Sequence, residues 1–180
     1  MTIIWLSIQD PLWEKVIWYA NDCPWEAGPL LAQKMIENHF SDLERVFVAI
    51  EDDKIVWFCT FTKEGWIPNC EYAPFVGFIF VDERYRGKRL SERLIDSVED
   101  YAKTLEFKNL YIVSDHRWLY GKYGFNKIDE SIDAHGRREG IFCRAIKEKT
   151  HQPLFLTSKI CETQELDWKF SLSKLSNEND

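Results

Sequence analysis

Four basic side chains, Arg84, Arg86, Lys88 and Arg89, crowd into six positions of an otherwise acidic chain. They lie in residues 81–91, Val-Asp-Glu-Arg-Tyr-Arg-Gly-Lys-Arg-Leu-Ser, between an apolar run and a long amphipathic stretch. Where a chain leaves a buried strand and opens a helix, backbone N–H groups lack partners and the positive end of the helix dipole is exposed. Both features suit an anion, and a diphosphate is a natural partner. The plainer alternative is a solvated basic turn that pairs with Asp82, Glu83 and Glu92. Other phosphate loops fit poorly. There is no GxGxxG, Asp82 stands where a P-loop needs its first glycine, and Arg89 follows Gly87-Lys88. A second stretch, Leu119-Tyr120-Gly121-Lys122-Tyr123-Gly124-Phe125, combines two phenols with two glycines. Two carboxylates could accept a proton in the same region. Asp115 adjoins His116 at the end of one apolar run, and Glu71 precedes another. Each also reads as a solvated carboxylate at a strand end.

The elements that must carry these residues follow from periodicity. Residues 90–105 form the clearest helix. Leu90, Leu94, Val98, Tyr101, Ala102 and Leu105 share one face, and Glu92, Arg93, Asp96 and Glu99 the other. The apolar runs 75–81 and 110–113 read as buried strands. Strand, helix and strand with short joints make a βαβ crossover, parallel and right-handed. Upstream, residues 45–50 and 55–61 are β-branched and aromatic around Glu51-Asp52-Asp53-Lys54, a hairpin signal. Residues 64–74 contain Gly65, Pro68, Asn69 and Pro74 and read as a loop.

At the N-terminus, residues 2–6 form a short edge strand. Asp10-Pro11 reads as N-cap and first turn of a helix that Asn21-Asp22-Cys23-Pro24 breaks. A second helix is expected from about Gly28 to Phe40. Residues 117–123 suggest a short helix ended by Gly124. Residues 126–133 and 141–146 suggest an antiparallel pair. Beyond residue 148 the pattern weakens. Residues 154–156 and 168–172 could be strands or a docked tail, and 176–180 read as disordered. The expected organisation is one domain over 1–148 with a C-terminal extension over 149–180.

Composition narrows the function classes. The chain has 180 residues and a formal net charge of -7, which opposes nucleic-acid phosphates and tolerates a cationic amine. Five cysteines without a CxxC spacing argue against a disulfide framework or a structural zinc site. The four histidines show no metal-ligand spacing, so no metal is expected. No leader pattern or membrane-spanning run is visible, which gives a cytoplasmic default and no membrane partner. Eight Trp, seven Tyr and twelve Phe either fill the core or line a ligand cleft.

Taken together, the two motifs resemble those of GNAT N-acetyltransferases, which carry Arg/Gln-x-x-Gly-x-Gly/Ala at this strand-to-helix junction. Arg86, Gly87 and Lys88 match that pattern. Arg89 replaces its central glycine and Ser91 its last small residue, so Arg89 is expected in an ordinary helical conformation. Leu119 to Phe125 resembles the family's second motif, one strand further on. The resemblance covers residues 75–125 closely.

The resemblance implies an α/β fold with a mixed, mostly antiparallel sheet of six to seven strands flanked by helices. Its parallel βαβ crossover would lie at an acetyl-CoA site. Acetyl-CoA would be the cosubstrate, held by Arg86, Gly87, Lys88, Arg89, Leu90 and Ser91. Phe80 and Val81 would join them, near a bulge that supplies an N–H to the thioester oxygen. Tyr120 would protonate the leaving thiolate, and Tyr123 would pack. The base would be Asp115 or Glu71. The acceptor pocket would draw on Trp18, Trp25, Glu26, Trp66, Glu71 and Tyr72. The implied activity is acetyl transfer to a small-molecule amine. Acetylation of protein amines and non-catalytic acyl-CoA binding are the alternatives, and a homodimer is compatible.

Overall fold

In the computed structural model of the chain, residues 1–65, 67, 70–133 and 136–146 are described. The tail from 147 onward, with its expected strands and disordered end, lies outside them, as does Trp66. Seven strands form one sheet: β1 (Thr2–Leu6), β2 (Arg45–Glu51), β3 (Lys54–Thr62), β4 (Phe75–Val81), β5 (Asn109–Ser114), β6 (Asn126–Ile132) and β7 (Arg138–Ala145). Their order across the sheet is β1-β2-β3-β4-β5-β7-β6. Every neighbouring pair is antiparallel except β4 with β5, the expected crossover.

Four α-helices accompany the sheet among the described residues: α1 (Trp13–Asp22), α2 (Gly28–Ile36), α3 (Leu90–Thr104) and α4 (Arg117–Gly121). Two helix boundaries differ from the sequence expectation. The first helix starts at Trp13, because Asp10 instead forms a turn in which its Oδ1 accepts from the Leu12 N–H at 2.9 Å. The second stops at Ile36 rather than Phe40, because Asn38 adopts a left-handed φ of 55° just beyond it.

Two cores form, one on each face of the sheet. Leu94, Ile95, Val98 and Ala102 of α3 pack with Phe47, Trp57 and Ile112. On the opposite face Trp13, Val16, Leu31 and Met35 of α1 and α2 cover Val48, Phe58, Phe78 and Phe80. Leu94 is fully buried, and such burial stabilises by about 1.5–3 kcal/mol per side chain. Spacing of three and four residues makes this possible, since it turns Leu94, Ile95, Val98 and Ala102 to one side of α3.

The joint between β7 and α3 is ionic. Arg144 is nearly buried and meets Glu99 at 2.7 Å and Asp96 at 3.1 Å. Its second nitrogen donates to the Tyr123 carbonyl at 3.0 Å, and its guanidinium lies 5.0 Å from the Phe125 ring centre. Removing Arg144 would leave Glu99 with Lys103 alone, at 3.0 Å, and would take the donor from the Tyr123 carbonyl. Arg144→Ala is therefore expected to lower the unfolding free energy by about 1–3 kcal/mol, read from urea titration.

Candidate active site

The site begins with an irregularity in β4. Phe58 pairs with Phe80, but Thr60 pairs with Gly77, so β4 carries one residue more than β3 over this interval. The extra residue lies at Phe78–Ile79, where Phe78 adopts a φ of 47°. This corrects the expectation that placed the bulge near Phe80 and Val81. The bulge reverses the phase of the strand. Val76 joins the α3 core, while Phe78 and Phe80 both face α1 and α2. The edge of β4 turned toward β5 is also redirected. The two strands pair only at Phe75↔Tyr111, whereas β5 pairs with β7 along its whole length.

A cleft of 1040 Å³ occupies this part of the molecule. Gly77 and Ile79 of β4, Ile112 and Ser114 of β5, and Tyr120 of α4 line it. Trp25 closes the α1–α2 side, its ring stacked on Phe80 at 6.1 Å and 16°. Carboxylates outnumber cations around its wall: Glu26, Glu64, Asp115, Asp133 and Glu139 against Lys34 and Arg137.

Tyr120 is buried, with Tyr123, Phe125 and Phe142 around its ring at 6.1–6.4 Å. Burial pushes its phenol up to about 12, against a weaker downward pull from the Ser114 hydroxyl. It therefore stays protonated, a donor, throughout the physiological range.

The basic loop follows β4. Asp82 caps the 3-10 turn Glu83–Tyr85, and Arg86 is extended. Gly87 (φ 81°) and Arg89 (φ 54°) then turn the chain into α3, whose N-terminus has no side-chain cap. The expectation of ordinary helical backbone at Arg89 is thus corrected. The position keeps the left-handed conformation that suits glycine, and arginine adopts it at a cost of about 1–2 kcal/mol. Its side chain turns away along the helix to Glu92, with Nε–Oε2 at 2.7 Å.

Arg84 pairs with Asp82 at 2.8 Å and Arg86 with Glu83 at 3.1 Å. The local pairing of a solvated basic turn is therefore present. Lys88 lies 5.8 Å from the centre of the Tyr85 ring. Leu90 is a core residue, and Val81 offers its carbonyl to Arg86 Nε at 3.3 Å. Ser91 hydrogen-bonds Tyr123 between hydroxyls at 2.8 Å, so Tyr123 ties the loop to the second motif as well as packing.

The other sequence-predicted residues are dispersed. Asp115 lines the cleft, its side chain 74% exposed and 3.5 Å from His116. Glu71 is exposed and outside the cleft lining. Tyr72 stacks on Tyr111 at 5.1 Å, also outside the lining. Trp18 is 73% exposed and belongs to a separate recess with Tyr19 and Asp82. Glu26 and Trp25 do reach the cleft. Sequence reasoning missed Glu139 and the Asp133–Arg137 pair, which meets at 2.8 Å. Among the described residues no group of three or more His, Cys, Asp or Glu could hold a metal ion. No described helix is long and apolar enough to cross a membrane.

The family model of the Acetyltransferase (GNAT) family matches residues 9–125, a span that holds the bulge, the basic loop and Tyr120. The chain belongs to the GNAT acetyltransferase family. Solved GNAT structures share its fold. An aminoglycoside 6'-acetyltransferase type Ii superposes with a TM-score of 0.65 at 17% identity, over 85% of this chain and 100% of its own. An aminoglycoside 6'-N-acetyltransferase from Enterococcus faecium gives 0.63 at 14% identity, over 84% and 100%. A GNAT family acetyltransferase from Elizabethkingia anophelis with acetyl-CoA bound gives 0.56 at 15%, over 80% and 97%. A comparison with curated protein sequences finds no match. The GNAT assignment makes the chain an acetyl-CoA-dependent N-acetyltransferase.

The two left-handed residues of the loop give a direct comparison. A Cβ on Gly87 would meet nothing within 4 Å, so its φ of 81° alone sets the cost of a side chain. Gly87→Ala is expected to destabilise by about 1–2 kcal/mol, while Arg89→Gly should not destabilise by more than about 0.5 kcal/mol. Thermal unfolding of the two variants checks this.

Proposed function

We propose that this chain transfers the acetyl group of acetyl-CoA by direct attack of a primary amine on a small cationic molecule. The observation that carries the reading is the parting of β4 and β5 beside a buried phenol, within a cleft whose charged residues are mostly acidic. The residues present fit such a cosubstrate. The strand edge that β5 leaves after Phe75 suits an extended amide-bearing arm, which would add to it as a strand does. The uncapped start of α3, with Gly87, Lys88 and Ser91 before and within its first turn, suits a diphosphate. We assign Arg86 and Arg89 to the same group, by exchange of their carboxylate partners Glu83 and Glu92, since surface pairs of this kind hold each side chain by about 1 kcal/mol or less. Phe80 and Val81 would contribute through their main chain, because the Phe80 ring is held between Phe58 and Trp25.

Bound acetyl-CoA supplies an acetyl group activated as a thioester. The main chain leaving the bulge at Ile79 donates to the carbonyl oxygen as charge gathers there. Tyr120 donates its phenolic proton to the departing sulfur. A phenol at about 12 facing a thiol at about 8.5 would make that transfer uphill by roughly 5 kcal/mol in water. The desolvation that raises the phenol raises a thiol beside it in the same direction, which narrows the gap. The carboxylates Glu26, Glu64 and Asp115 attract a cationic acceptor and hold its spare ammonium groups. Trp25 provides an aromatic wall for the same charge. The solved relatives named as aminoglycoside acetyltransferases support a polyamine-like acceptor. We place the catalytic domain at residues 1–148, with 149–180 as an extension.

Thiol release from acetyl-CoA, measured against a panel of polyamines, aminoglycosides and lysine peptides, tests the proposal. Wild type should turn over small polycations. Tyr120→Phe should lose about 10²-fold or more in kcat with acetyl-CoA affinity unchanged. Binding of acetyl-CoA without turnover on any amine would instead identify a non-catalytic acyl-CoA module. Preference for peptides would identify a protein acetyltransferase.

A further inference from the structure

We propose that Glu139, at the start of β7, is the base that takes the proton from the attacking amine. The inference rests on the acetyl-transfer reading above and supplies the residue that reading lacks. Glu139 lines the cleft together with Tyr120. Its position follows from register. Ser114, at the end of β5, pairs with Gly140, the next residue of β7. Side chains alternate along a strand, so Glu139 projects from the face opposite Phe142 and Arg144. Those two face α3, Phe142 in its core and Arg144 in ion pairs with it. Glu139 therefore lies on the α1–α2 face and lines the same cleft as Trp25 and Glu26. Gly140 keeps the approach of β7 to β5 close. A Cβ there would lie 2.8 Å from the Phe142 ring and 3.3 Å from the Ser114 carbonyl.

The state of the carboxylate is the second observation. Glu139 Oε2 is buried and has no hydrogen-bond partner among the described residues. The neighbouring carboxylates do not share this condition. Asp133 is paired with Arg137 at 2.8 Å, and Asp115 is exposed beside His116. A buried oxygen without a partner is costly, and native structures rarely keep one without a use. An N–H of a bound amine would satisfy it. Burial raises the Glu139 carboxyl above its ordinary value. Asp115 and Asp133 add to the rise, while Arg137 and His116 oppose it. A base whose affinity for a proton lies nearer neutrality is the more effective one.

The proton balance closes. The amine nitrogen forms a bond to the acetyl carbon, and the carbon–sulfur bond breaks with its electron pair leaving on sulfur. The proton lost by nitrogen goes to Glu139 Oε2, and Tyr120 gives its own to sulfur. Solvent then carries the proton from Glu139 back to Tyr120. The products are an amide and a free thiol.

The test is kinetics of the full chain with acetyl-CoA and the amine panel between about pH 5 and 9, with wild type, Glu139→Gln, Glu139→Asp and Asp115→Asn. Glu139→Gln should lower kcat/KM by about 10²- to 10⁴-fold and abolish the acid limb of the profile, with acetyl-CoA affinity unchanged. Glu139→Asp should keep part of the activity and the limb. Asp115→Asn should move the limb to lower pH, because one of the charges raising Glu139 is gone.

Stability gives an independent readout. A carboxyl raised on folding binds its proton more tightly in the native state, so ionising it weakens the fold as pH climbs through its raised value. Glu139→Gln should therefore have a higher Tm than wild type near pH 7, with the gain fading toward about pH 4. A Glu139→Gln protein with wild-type kcat/KM, an unchanged acid limb, or a lower Tm at pH 7 overturns the assignment while acetyl transfer by wild type stands. If wild type neither binds acetyl-CoA nor acetylates any amine, the acetyl-transfer reading fails and the base falls with it.

Discussion

One left-handed residue, Phe78, governs the rest of the site. A phenylalanine with φ near 47° costs about 1–3 kcal/mol relative to regular extended backbone. With it, β4 gains one residue against β3 and its side chains change phase. Without it, β4 would continue beside β5 as a regular parallel ladder, and the gap between them would close. Packing on the α1–α2 face offsets the cost. Phe78 lies 6.3 Å from Trp25, and Phe80 lies 5.1 Å from Phe58. These rings are drawn to that face because the bulge turns them there. The aromatic richness of the chain thus serves as core and cleft wall together, with Trp25 belonging to both.

An opened strand pair is useful only if its two sides are held rigidly. The β4 side is held by its ladder to β3 and by the rings beneath it. The β5 side is held by β7, and β7 is pinned to α3 by Arg144. Arg144 also donates to the Tyr123 carbonyl, and the Tyr123 hydroxyl meets Ser91 in the first turn of α3. These contacts run unbroken from β7 through the second motif to the first turn of α3. They place Tyr120 between a fixed strand and a fixed helix, which gives its position precision.

Periodicity carried the large elements. The face of α3 and the apolar runs of β4 and β5 are visible as patterns, and their order requires a parallel crossover. The bulge was not visible at its true place. Residues 75–81 are apolar throughout, so no polar alternation exists whose phase could be seen to break. Arg89 misled for a related reason. Arginine favours ordinary helix, and only the turn from Gly87 into α3 shows that the chain needs a left-handed residue there, whatever its side chain. Glu139 carried no signal either. In Arg-Arg-Glu-Gly it resembles any hairpin carboxylate, and its place follows only from the pairing of Ser114 with Gly140, a contact between residues far apart in sequence. Asp115 and Glu71 are conspicuous because Asp115 ends one apolar run and Glu71 precedes another. That position exposes Glu71 to solvent, away from the cleft.

The sheet itself divides the proposed chemistry. Tyr120 packs with the α3 core, and Glu139 projects from the other face, so the gap between β4 and β5 is the passage from one to the other. A thioester threaded from the α3 end would present its sulfur toward the phenol, while an amine arriving from the α1–α2 side would meet the carboxylate. Desolvation acts on both groups in the same direction, raising each. Its consequences differ because the ordinary values differ. The phenol, already a weak acid, is fixed as a donor. The carboxyl, ordinarily a weak base, becomes a stronger one. Exclusion of water from a parted strand pair thus separates donor from acceptor, and at Glu139 the nearby Asp115 and Asp133 charges act in the same direction.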